Sequence, residues 1–461
     1  VSACANMGNI IGGKLVHSCI ETSPCDITLG NALVSMYDKC GSIGNAYLVF
    51  GRMPQKNAIS WNSMIASYAH HGHGIGALQF FYQMLLEDVF PDKVSFVNVL
   101  DVYADYASLV ECKRMHVRVM VSGFASDVVL ATAVVCMYGK HGSMDNAWIM
   151  FDYMPDPNII SWNAILASFE AHRWEKDVIQ LFQQMQLRGL VPDKVTCVTV
   201  FTACASSLKE GKRLHSCIKY SGLCWDLILW NALINMYRRC GQPIKDALIL
   251  FLSMNKWNSV SYISIISACG ERTCLQEGKW LHFCIIDSEQ TLDNVVINAL
   301  LTMYGKCGCL TDARALFATT TSQRNVALWN AMIGTYAQSG QGKEALQLFR
   351  QMQEEKIKPN ESTFVSVLFA CSHTGLLDEG YKHLVSMYHD YGIKVEVDHY
   401  NCMIDLLARV GRLDEAENMI NTMPCESTNV SWMALLSACR DQGDLERGER
   451  AADRVSSLEM I

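Results

Sequence analysis

The chain has 461 residues, of which 50% are apolar and 18% charged, and its formal net charge is -8 at pH 7. This length exceeds what one hydrophobic core usually serves, so several domains or a repeat array are expected. The acidic balance argues against an indiscriminate nucleic-acid binder, because such proteins usually carry a basic excess. No apolar run approaches the roughly 18 residues of a membrane-spanning helix, so no membrane partner is expected.

A repeated unit organises the chain, and the stretch from Asn57 to Asp92 is its clearest copy. In the first half, apolar residues recur at helical spacing behind Ser60, a candidate N-cap. After a break at Gly72, a second amphipathic segment runs to the turn before Pro91. The unit therefore predicts an antiparallel helical hairpin, and the whole chain predicts an all-α fold.

Copies of this unit divide the chain into a partial long-type unit at 1–26, twelve complete units at 27–428 and an atypical last unit at 429–461. Units of 31 to 36 residues of three kinds alternate, and Trp61 and Trp162 stand at equivalent places 101 residues apart. One unit of the cycle is missing after Asn258, and no Gly/Ser-rich or Pro-rich linker separates the units. Such a period indicates a solenoid of stacked hairpins.

The 20 cysteines fall at recurring places in the unit, as in Ala203-Cys204 and before Gly in Cys40-Gly41. This regularity favours small packing residues in a reducing compartment. The chain contains no C-x-x-C pair, no H-x-E and no P-C-x-x-C, the groups with which a zinc deaminase holds its metal and moves protons. We therefore expect no enzyme activity, no metal site and no cofactor in this chain.

Six recurring segments carry a family resemblance: SWNSMIASY with ALQFFYQM, SFVNVL with ECKRMH, and NALVSMYDKCGS with VFGRMP. Together with the spacing, they resemble the pentatricopeptide repeat (PPR) family, specifically its plant PLS subgroup of alternating P, long L and short S motifs. The resemblance implies a right-handed α-solenoid superhelix of tetratricopeptide-like (TPR-like) hairpins. The end of the chain, NVSWMALLSACRDQGDLERGERAADRV, resembles the first extension motif of this subgroup, and no DYW deaminase domain follows in this chain.

In this family, each repeat faces one base of single-stranded RNA, and the fifth and last residues of the repeat read its Watson–Crick edge. The resemblance carries these roles to the following pairs: Asn31/Asn57, Asn62/Asp92, Thr132/Asn158, Asn163/Asp193, Asn231/Asn258, Asn298/Asn325, Asn330/Asn360 and Asn401/Thr428. It implies that Asn with Asp favours U, Asn with Asn a pyrimidine, and Thr with Asn an A, whereas Asn401/Thr428 lies outside the reliable code.

The resemblance assigns two further sets of residues. The second residue of a unit sandwiches the base, and this set is Ile59, Val94, Val129, Ile160, Val195, Ile228, Val260 and Val295. The L motifs carry an aliphatic fifth residue that reads no base by hydrogen bonding and acts as a spacer: Val97, Val198, Ile263 and Val365.

The function implied by the resemblance is sequence-specific binding of single-stranded organellar RNA, with target recognition for C-to-U editing as the leading hypothesis. A deaminase or editing cofactor would act in trans or come from C-terminal sequence beyond this chain. An RNA stability or translation factor remains open, as does a TPR-like protein scaffold, although that family keeps a uniform 34-residue period. We expect a mitochondrion or chloroplast, with the mitochondrion preferred, and a targeting peptide outside this chain.

Three other features have structural interpretations that we favour. The Lys-x-x-His pairs, such as Lys113/His116, are expected to pack between hairpins rather than bind phosphate. The tryptophans at the fourth place of a unit are expected in the core rather than against bases. The histidines around Gly72 are expected in a solvated turn.

Overall fold

A computed structural model of the chain describes residues 1–20, 26–124, 126–204, 207–219, 226–240, 244–254, 256–287, 293–320 and 324–459. Pro24 and Cys25, a Pro-Cys pair without a second cysteine three residues later, lie outside these residues. Over the described ranges the chain forms 28 helices and no strand. The predicted all-α fold of helical hairpins is confirmed.

The chain divides into two compact units, Val1–Trp225 and Asp226–Ile461. The helices of the first unit are α1 Ser2–Met7, α2 Ile10–Ile20, α3 Ile27–Lys39, α4 Ile43–Arg52, α5 Ala58–His70, α6 Gly74–Leu86, α7 Lys93–Tyr106, α8 Leu109–Val121, α9 Val128–Lys140, α10 Met144–Asp152, α11 Ile159–Ala171, α12 Glu175–Leu187, α13 Lys194–Ala203 and α14 Leu208–Lys219.

The helices of the second unit are α15 Leu227–Arg239, α16 Ile244–Leu252, α17 Ser259–Glu271, α18 Leu275–Asp287, α19 Asn294–Lys306, α20 Leu310–Thr319, α21 Val326–Gln338, α22 Gly342–Glu354, α23 Glu361–Thr374, α24 Leu377–His389, α25 Val397–Val410, α26 Leu413–Thr422, α27 Asn429–Gln442 and α28 Leu445–Glu459.

Within each compact unit, the first helix of a hairpin packs on the second helix of the same hairpin and on the first helix of the next hairpin. In the first unit α5 packs on α6 and α7, and in the second α21 packs on α22 and α23. The second helix also contacts the next first helix, as α6 contacts α7 and α22 contacts α23. In each of the two compact units, the first helices of successive hairpins therefore form a continuous layer in which neighbouring N-terminal turns come close together.

A ring contact between consecutive hairpins recurs where a short repeat precedes a P repeat. The Phe50 and Trp61 rings lie 4.9 Å apart and nearly perpendicular, and equivalent edge-to-face contacts join Phe151 to Trp162 at 4.7 Å and Phe317 to Trp329 at 4.9 Å. These three tryptophans are fully buried. As expected, they belong to the core, where such ring pairs stabilise by about 0.5–1.5 kcal/mol beyond area burial.

The cysteines at the end of several first helices are also core residues. Cys204, Cys269, Cys371 and Cys439 are buried, and burial raises the pKa of Cys269 and of Cys371 to about 12. Their thiols therefore stay protonated and unreactive near neutral pH. Across the described ranges, no group of three or more His, Cys, Asp or Glu residues is placed to hold a metal ion. In the same part of the chain, no helix is long and apolar enough to cross a membrane.

Most first helices begin with a side-chain cap supplied by the residue just before them. Asn57 caps α5, since its side chain accepts the backbone N–H of Ser60 at 3.0 Å while the Asn57 N–H donates to the Ser60 hydroxyl at 3.3 Å. The interpretation of Ser60 as the N-cap is therefore wrong: Ser60 occupies the third helical position of a capping box. The pattern of a hydroxyl before an apolar run placed the cap three residues too late, because Asn57 is equally good at capping.

Histidines of the Lys-x-x-His pairs bond tyrosines of the next hairpin. His116 Nδ1 lies 3.0 Å from the Tyr138 hydroxyl, and His282 Nδ1 lies 2.8 Å from that of Tyr304. Both rings meet their tyrosine edge to face. The packing interpretation of these pairs accords with this geometry. Burial lowers the pKa of His116 and of His282, since a charged ring would lose its hydration there.

The last hairpin is fastened to its neighbour by charged side chains. Arg447 of α28 contacts Glu417 at 2.8 Å, and it also pairs with Asp414 of α26. Beneath these charges, Leu435, Ala451 and Val455 belong to a buried cluster that also includes residues of α25 and α26. The contact between the last two hairpins thus combines a charged layer with an apolar one.

The Asn57 cap gives a stability prediction. Asn57→Ala is expected to lower the free energy of unfolding by about 1 kcal/mol, because it leaves the Ser60 N–H without its acceptor. Asn57→Asp keeps an acceptor and should unfold close to wild type, so it is the matched control. Urea denaturation followed by circular dichroism measures both, and equal losses in the two variants would refute the cap.

The lowered histidine pKa values predict a pH dependence. Because the folded state disfavours protonation of His116 and His282, their contribution is full above the ordinary pKa of about 6.5 and falls as pH drops below it. The urea midpoint should therefore decrease from pH 7.5 to pH 5.5, above the range where most carboxylates titrate. His116→Gln should flatten this decrease, while a surface change such as His73→Gln should not; an unchanged slope in His116→Gln would contradict the assignment.

Candidate nucleic-acid interface

The predicted pair Asn62 and Asp92 meets where two neighbouring first helices begin. Asn62 lies early in α5, and Asp92 is the N-cap of α7. Asn62 Nδ2 donates to Asp92 Oδ1 at 2.9 Å, and only 7% of Asn62 is exposed. Two residues 30 positions apart in the chain thus form one polar group with its edge at the protein surface.

Four other pairs repeat this contact through the amide nitrogen of the fifth residue. It reaches both carboxylate oxygens in one pair, an amide oxygen in two, and a hydroxyl in the last. The distances are 3.0 Å for Asn163–Asp193, 2.9 Å for Asn330–Asn360, 3.4 Å for Asn231–Asn258 and 3.5 Å for Asn401–Thr428.

In the remaining three predicted pairs, no direct hydrogen bond joins the two members, all of which are described residues. Asn31 and Asn298 each keep a buried amide oxygen without a partner, while Asn57 and Asn325 cap the helices that follow. Thr132 bonds elsewhere, and its partner Asn158 caps α11. The structure therefore brings five of the eight pairs into contact.

A third residue, which sequence reasoning missed, takes part in most of these groups. The Ser95 hydroxyl, at the third helical position of α7, lies 2.6 Å from Asn62 Oδ1 and accepts the Asp92 backbone N–H at 3.1 Å. Hydroxyls at the same place in other units contact the fifth residue of the preceding unit: Thr196 with Asn163 at 2.7 Å, Ser261 with Asn231 at 2.7 Å, Thr363 with Asn330 at 2.6 Å, Ser431 with Asn401 at 2.5 Å and Ser161 with Thr132 at 2.7 Å.

The sequence did carry a signal for these hydroxyls. Ser or Thr recurs three residues after the last residue of a unit, which is the spacing of a reciprocal capping box. At Ser60 the pattern predicts a cap, but it does not indicate which neighbour the hydroxyl contacts.

Asp92 and Asp193, which each carry a carboxylate at the last position of a repeat, stay ionised near neutral pH. Burial acts to raise the pKa of Asp92, but the Ser95 N–H, the Asn62 amide and the Ser95 hydroxyl together hold it below its usual value. The same balance, with Thr196 and Asn163, lowers the pKa of Asp193. Each carboxylate therefore presents a negatively charged acceptor beside the amide of the fifth residue.

The residues predicted to sandwich bases are aliphatic and yet exposed. Because positions two and five of a unit are three residues apart in a helix, they share one helix face. The exposed fractions run from 50% to 67% over Ile59, Val94, Val129, Ile160, Val195, Ile228, Val260 and Val295. Apolar side chains that repeat on one face beside amides suit contact with flat aromatic rings.

Two grooves show these elements together with a cation. A groove of about 360 Å³ in the second unit is lined by Val295, Asn298 and Lys306, with Arg238 and Glu271 at its side. Another, of about 500 Å³, is lined by Asn401, Arg409 and Val430, with Phe369 and Met433. Each groove combines an aliphatic second residue, the amide of a fifth residue and a basic side chain.

Basic residues also end the first helices of all five short repeats. They occupy the thirteenth place of the unit: Lys39, Lys140, Arg239, Lys306 and Arg409. Several such cations have a carboxylate nearby, since Lys140 Nζ lies 2.7 Å from Asp105 and Arg409 Nε lies 2.7 Å from Asp405. The chain is acidic overall, but cations recur at one end of these helices.

The predicted spacer residues of the L motifs are half-buried aliphatics. Val97, Val198, Ile263 and Val365 stand at the fifth place of α7, α13, α17 and α23. Their side chains have no group that could donate or accept a hydrogen bond.

Profiles of two families match the chain. The PPR repeat family profile matches residues 157–206 and 324–373, and the PPR repeat profile matches 59–89, 129–159, 228–258, 295–318 and 398–427. The crystal structure of the pentatricopeptide repeat protein PPR10 from maize covers 99% of this chain and 73% of that chain, with a TM-score of 0.60 and 16% sequence identity. That likeness supports the helical-repeat fold.

Two relatives from Arabidopsis thaliana match nearly the whole chain. Pentatricopeptide repeat-containing protein At1g11290, chloroplastic, is 34% identical over an alignment of 497 positions that covers 99% of this chain and 61% of that protein. Pentatricopeptide repeat-containing protein At4g19191, mitochondrial, is 32% identical over an alignment of 503 positions that covers 99% of this chain and 76% of that protein. The chain thus spans less than two thirds of the first relative. The repeat matches and these identities show that the chain belongs to the pentatricopeptide repeat family.

Proposed function

We propose that the chain binds single-stranded RNA in a sequence-specific manner, one base to each reading pair. The observation that carries this proposal is the convergence of an aliphatic side chain, an amide and a cation in one groove, as at Val295, Asn298 and Lys306. The three groups suit the three parts of a nucleotide: the face of the base, its Watson–Crick edge and its phosphate. The family resemblance assigns the second and fifth residues to the same tasks.

Hydrogen-bond chemistry gives the pair Asn62/Asp92 a preference for U. Asp92 Oδ1 already accepts from Asn62 and from the Ser95 N–H, which leaves the other carboxylate oxygen as an acceptor. The N3 atom of U carries a hydrogen that such an oxygen can accept, whereas N3 of C is itself an acceptor and would be repelled. Asn163/Asp193 has the same atoms and the same expected preference.

Where the last residue is an asparagine, the group left for the base is a hydrogen-bond donor instead of an acceptor. In Asn360 the Oδ1 atom accepts from Asn330 and from the Thr363 N–H, so its Nδ2 donor is left for the base. A donor there tolerates the N3 acceptor of C, in keeping with a pyrimidine preference. For Thr132/Asn158, a hydroxyl with an amide supports A by family resemblance.

We further propose that the RNA tract lies in a transcript of a mitochondrion or chloroplast and guides C-to-U editing. The alternation of short and long repeats and the extension-like segment 429–461 support editing through their resemblance to the PLS subgroup. The names of the two relatives, one chloroplastic and one mitochondrial, support an organelle. The deaminase would be supplied by another chain or by further sequence of this protein.

Exchange of one reading pair tests RNA recognition. The double change Asn62→Thr with Asp92→Asn should shift the relative affinity at one base from U towards A by about tenfold, since a mismatched contact costs roughly 1–3 kcal/mol. Binding titrations at fixed salt, with RNAs that differ only at that base, measure the shift. The base facing Asn163/Asp193 is the internal control. Unchanged preferences at both bases would refute the pairing.

Loss of the gene tests the role in editing. Sequencing organellar transcripts from a loss-of-function line should reveal one or a few cytidines that remain unedited, and upstream of them bases in the order that the reading pairs favour. Restoring the wild-type gene should restore editing, whereas restoring the Asn62→Thr, Asp92→Asn variant should restore it poorly. Altered transcript ends or abundance with every site edited would instead favour a stability or translation factor and remove the editing proposal.

A further inference from the structure

The hydroxyl at the third place of a unit lies between the two residues that read the base of the preceding unit. Ser95 is fully buried, and its oxygen accepts the Asp92 N–H at 3.1 Å. Its single proton has two acceptors in reach, Asn62 Oδ1 at 2.6 Å and Asp92 Oδ1 at 2.9 Å, and the first is closer. Asp92 Oδ1 is already occupied by two N–H groups. The hydroxyl proton is therefore directed to Asn62.

This direction matters because an asparagine amide has two ends of nearly equal size and opposite polarity. A half-turn about the last side-chain bond would exchange the donor and the acceptor that face a base. Asp92 accepts only from the Nδ2 end of Asn62, and the Ser95 hydroxyl donates only to its Oδ1 end. The two contacts together hold one orientation, and they leave one amide hydrogen and one oxygen lone pair for a base.

The chain contains a natural contrast. Asn330/Asn360 and Asn298/Asn325 have the same two reading residues, but Thr363 follows the first pair at 2.6 Å from Asn330, whereas Leu328 stands at that place after the second. Asn298 Oδ1 is buried without a partner. At Asn31/Asn57 a hydroxyl is present, but Ser60 bonds Asn57 at 3.0 Å, and Asn31 Oδ1 again has no partner.

We propose that this third-place hydroxyl is a positioning residue for base recognition, so that specificity at one base depends on three residues from two repeats. The proposal rests on the proposed function. Units followed by a contacting hydroxyl, as at Ser95, Thr196, Ser261 and Thr363, discriminate strictly between bases. Asn298/Asn325 and Asn31/Asn57 discriminate weakly, although their two reading residues match those of Asn330/Asn360.

Two serine changes separate positioning from helix capping. Ser60 and Ser95 both complete a capping box, but only Ser95 contacts the fifth residue of the preceding unit. Ser95→Ala should reduce the preference for U over C at the base facing Asn62 by about fivefold, the worth of one hydrogen bond. Ser95→Thr keeps the hydroxyl and should retain the preference. Ser60→Ala loses a similar cap and should leave discrimination at the base facing Asn62 as in wild type.

Titrations with RNAs that differ at one base measure these ratios. The expected result supports the proposal, whereas full preference in Ser95→Ala, or an equal loss in Ser60→Ala, overturns it while RNA binding stands. A wild-type protein without any base preference overturns the proposed function instead.

A measurement without RNA still decides the positioning. In protein labelled with ¹⁵N-asparagine, hydrogen exchange of the Asn62 side-chain amide should be several times faster in Ser95→Ala than in wild type or in Ser95→Thr. Equal exchange rates in all three proteins overturn the positioning role whatever the RNA titrations show.

Discussion

The structure depends on the packing of each first helix against the first helix of the next hairpin. Between the hairpin 58–92 and the next one, α5 packs on α7, and the Phe81 and Phe96 rings meet at 6.1 Å. This packing places Asn62 at 2.9 Å from Asp92, at the other end of the same repeat, and at 2.6 Å from Ser95, in the next repeat. The apolar core thus sets the geometry of the polar groups at its edge, and a shift in core packing of about one ångström would take Asn62 and Asp92 out of hydrogen-bond distance.

Part of the charge at the proposed interface is arranged in ion pairs. Lys140 pairs with Asp105, Arg238 with Glu271, and Arg409 with Asp405. Surface pairs of this kind are worth about 0–1 kcal/mol, so a phosphate can replace the carboxylate at little cost. Such pairing lowers the affinity for arbitrary polyanions, and base contacts then contribute a larger share of binding. This reconciles an overall charge of -8 with binding of RNA.

The sequence was sufficient for the hairpins, because a repeat makes the same local pattern visible many times. Helical spacing predicted the core faces, and the fourth-place tryptophans and Ala-Cys cysteines are buried as expected. The sequence could not show which side chains bond to each other across two hairpins, since such contacts depend on three-dimensional spacing. The Ser60 cap was misplaced because Asn57, three residues earlier, caps equally well, whereas the contact of Ser95 with Asn62 was missed because it joins two hairpins. The sequence also could not show that the amide oxygens of Asn31 and Asn298 have no hydrogen-bond partner, although both belong to Asn/Asn reading pairs like that of Asn330.

The caps have a consequence for how such a protein can evolve. In the proposed function the last residue of a repeat faces a base, and it also starts the next helix, so a substitution must satisfy both demands. Only Asn, Asp, Ser and Thr cap helices well, besides Gly, which offers no side chain to a base. Every last residue paired with a reading residue in this chain is Asn, Asp or Thr. The need for a helix cap therefore limits the residue types that can stand at the last position, whatever RNA is bound. A Lys or Gln there would gain a contact with a base only by weakening the start of the next helix.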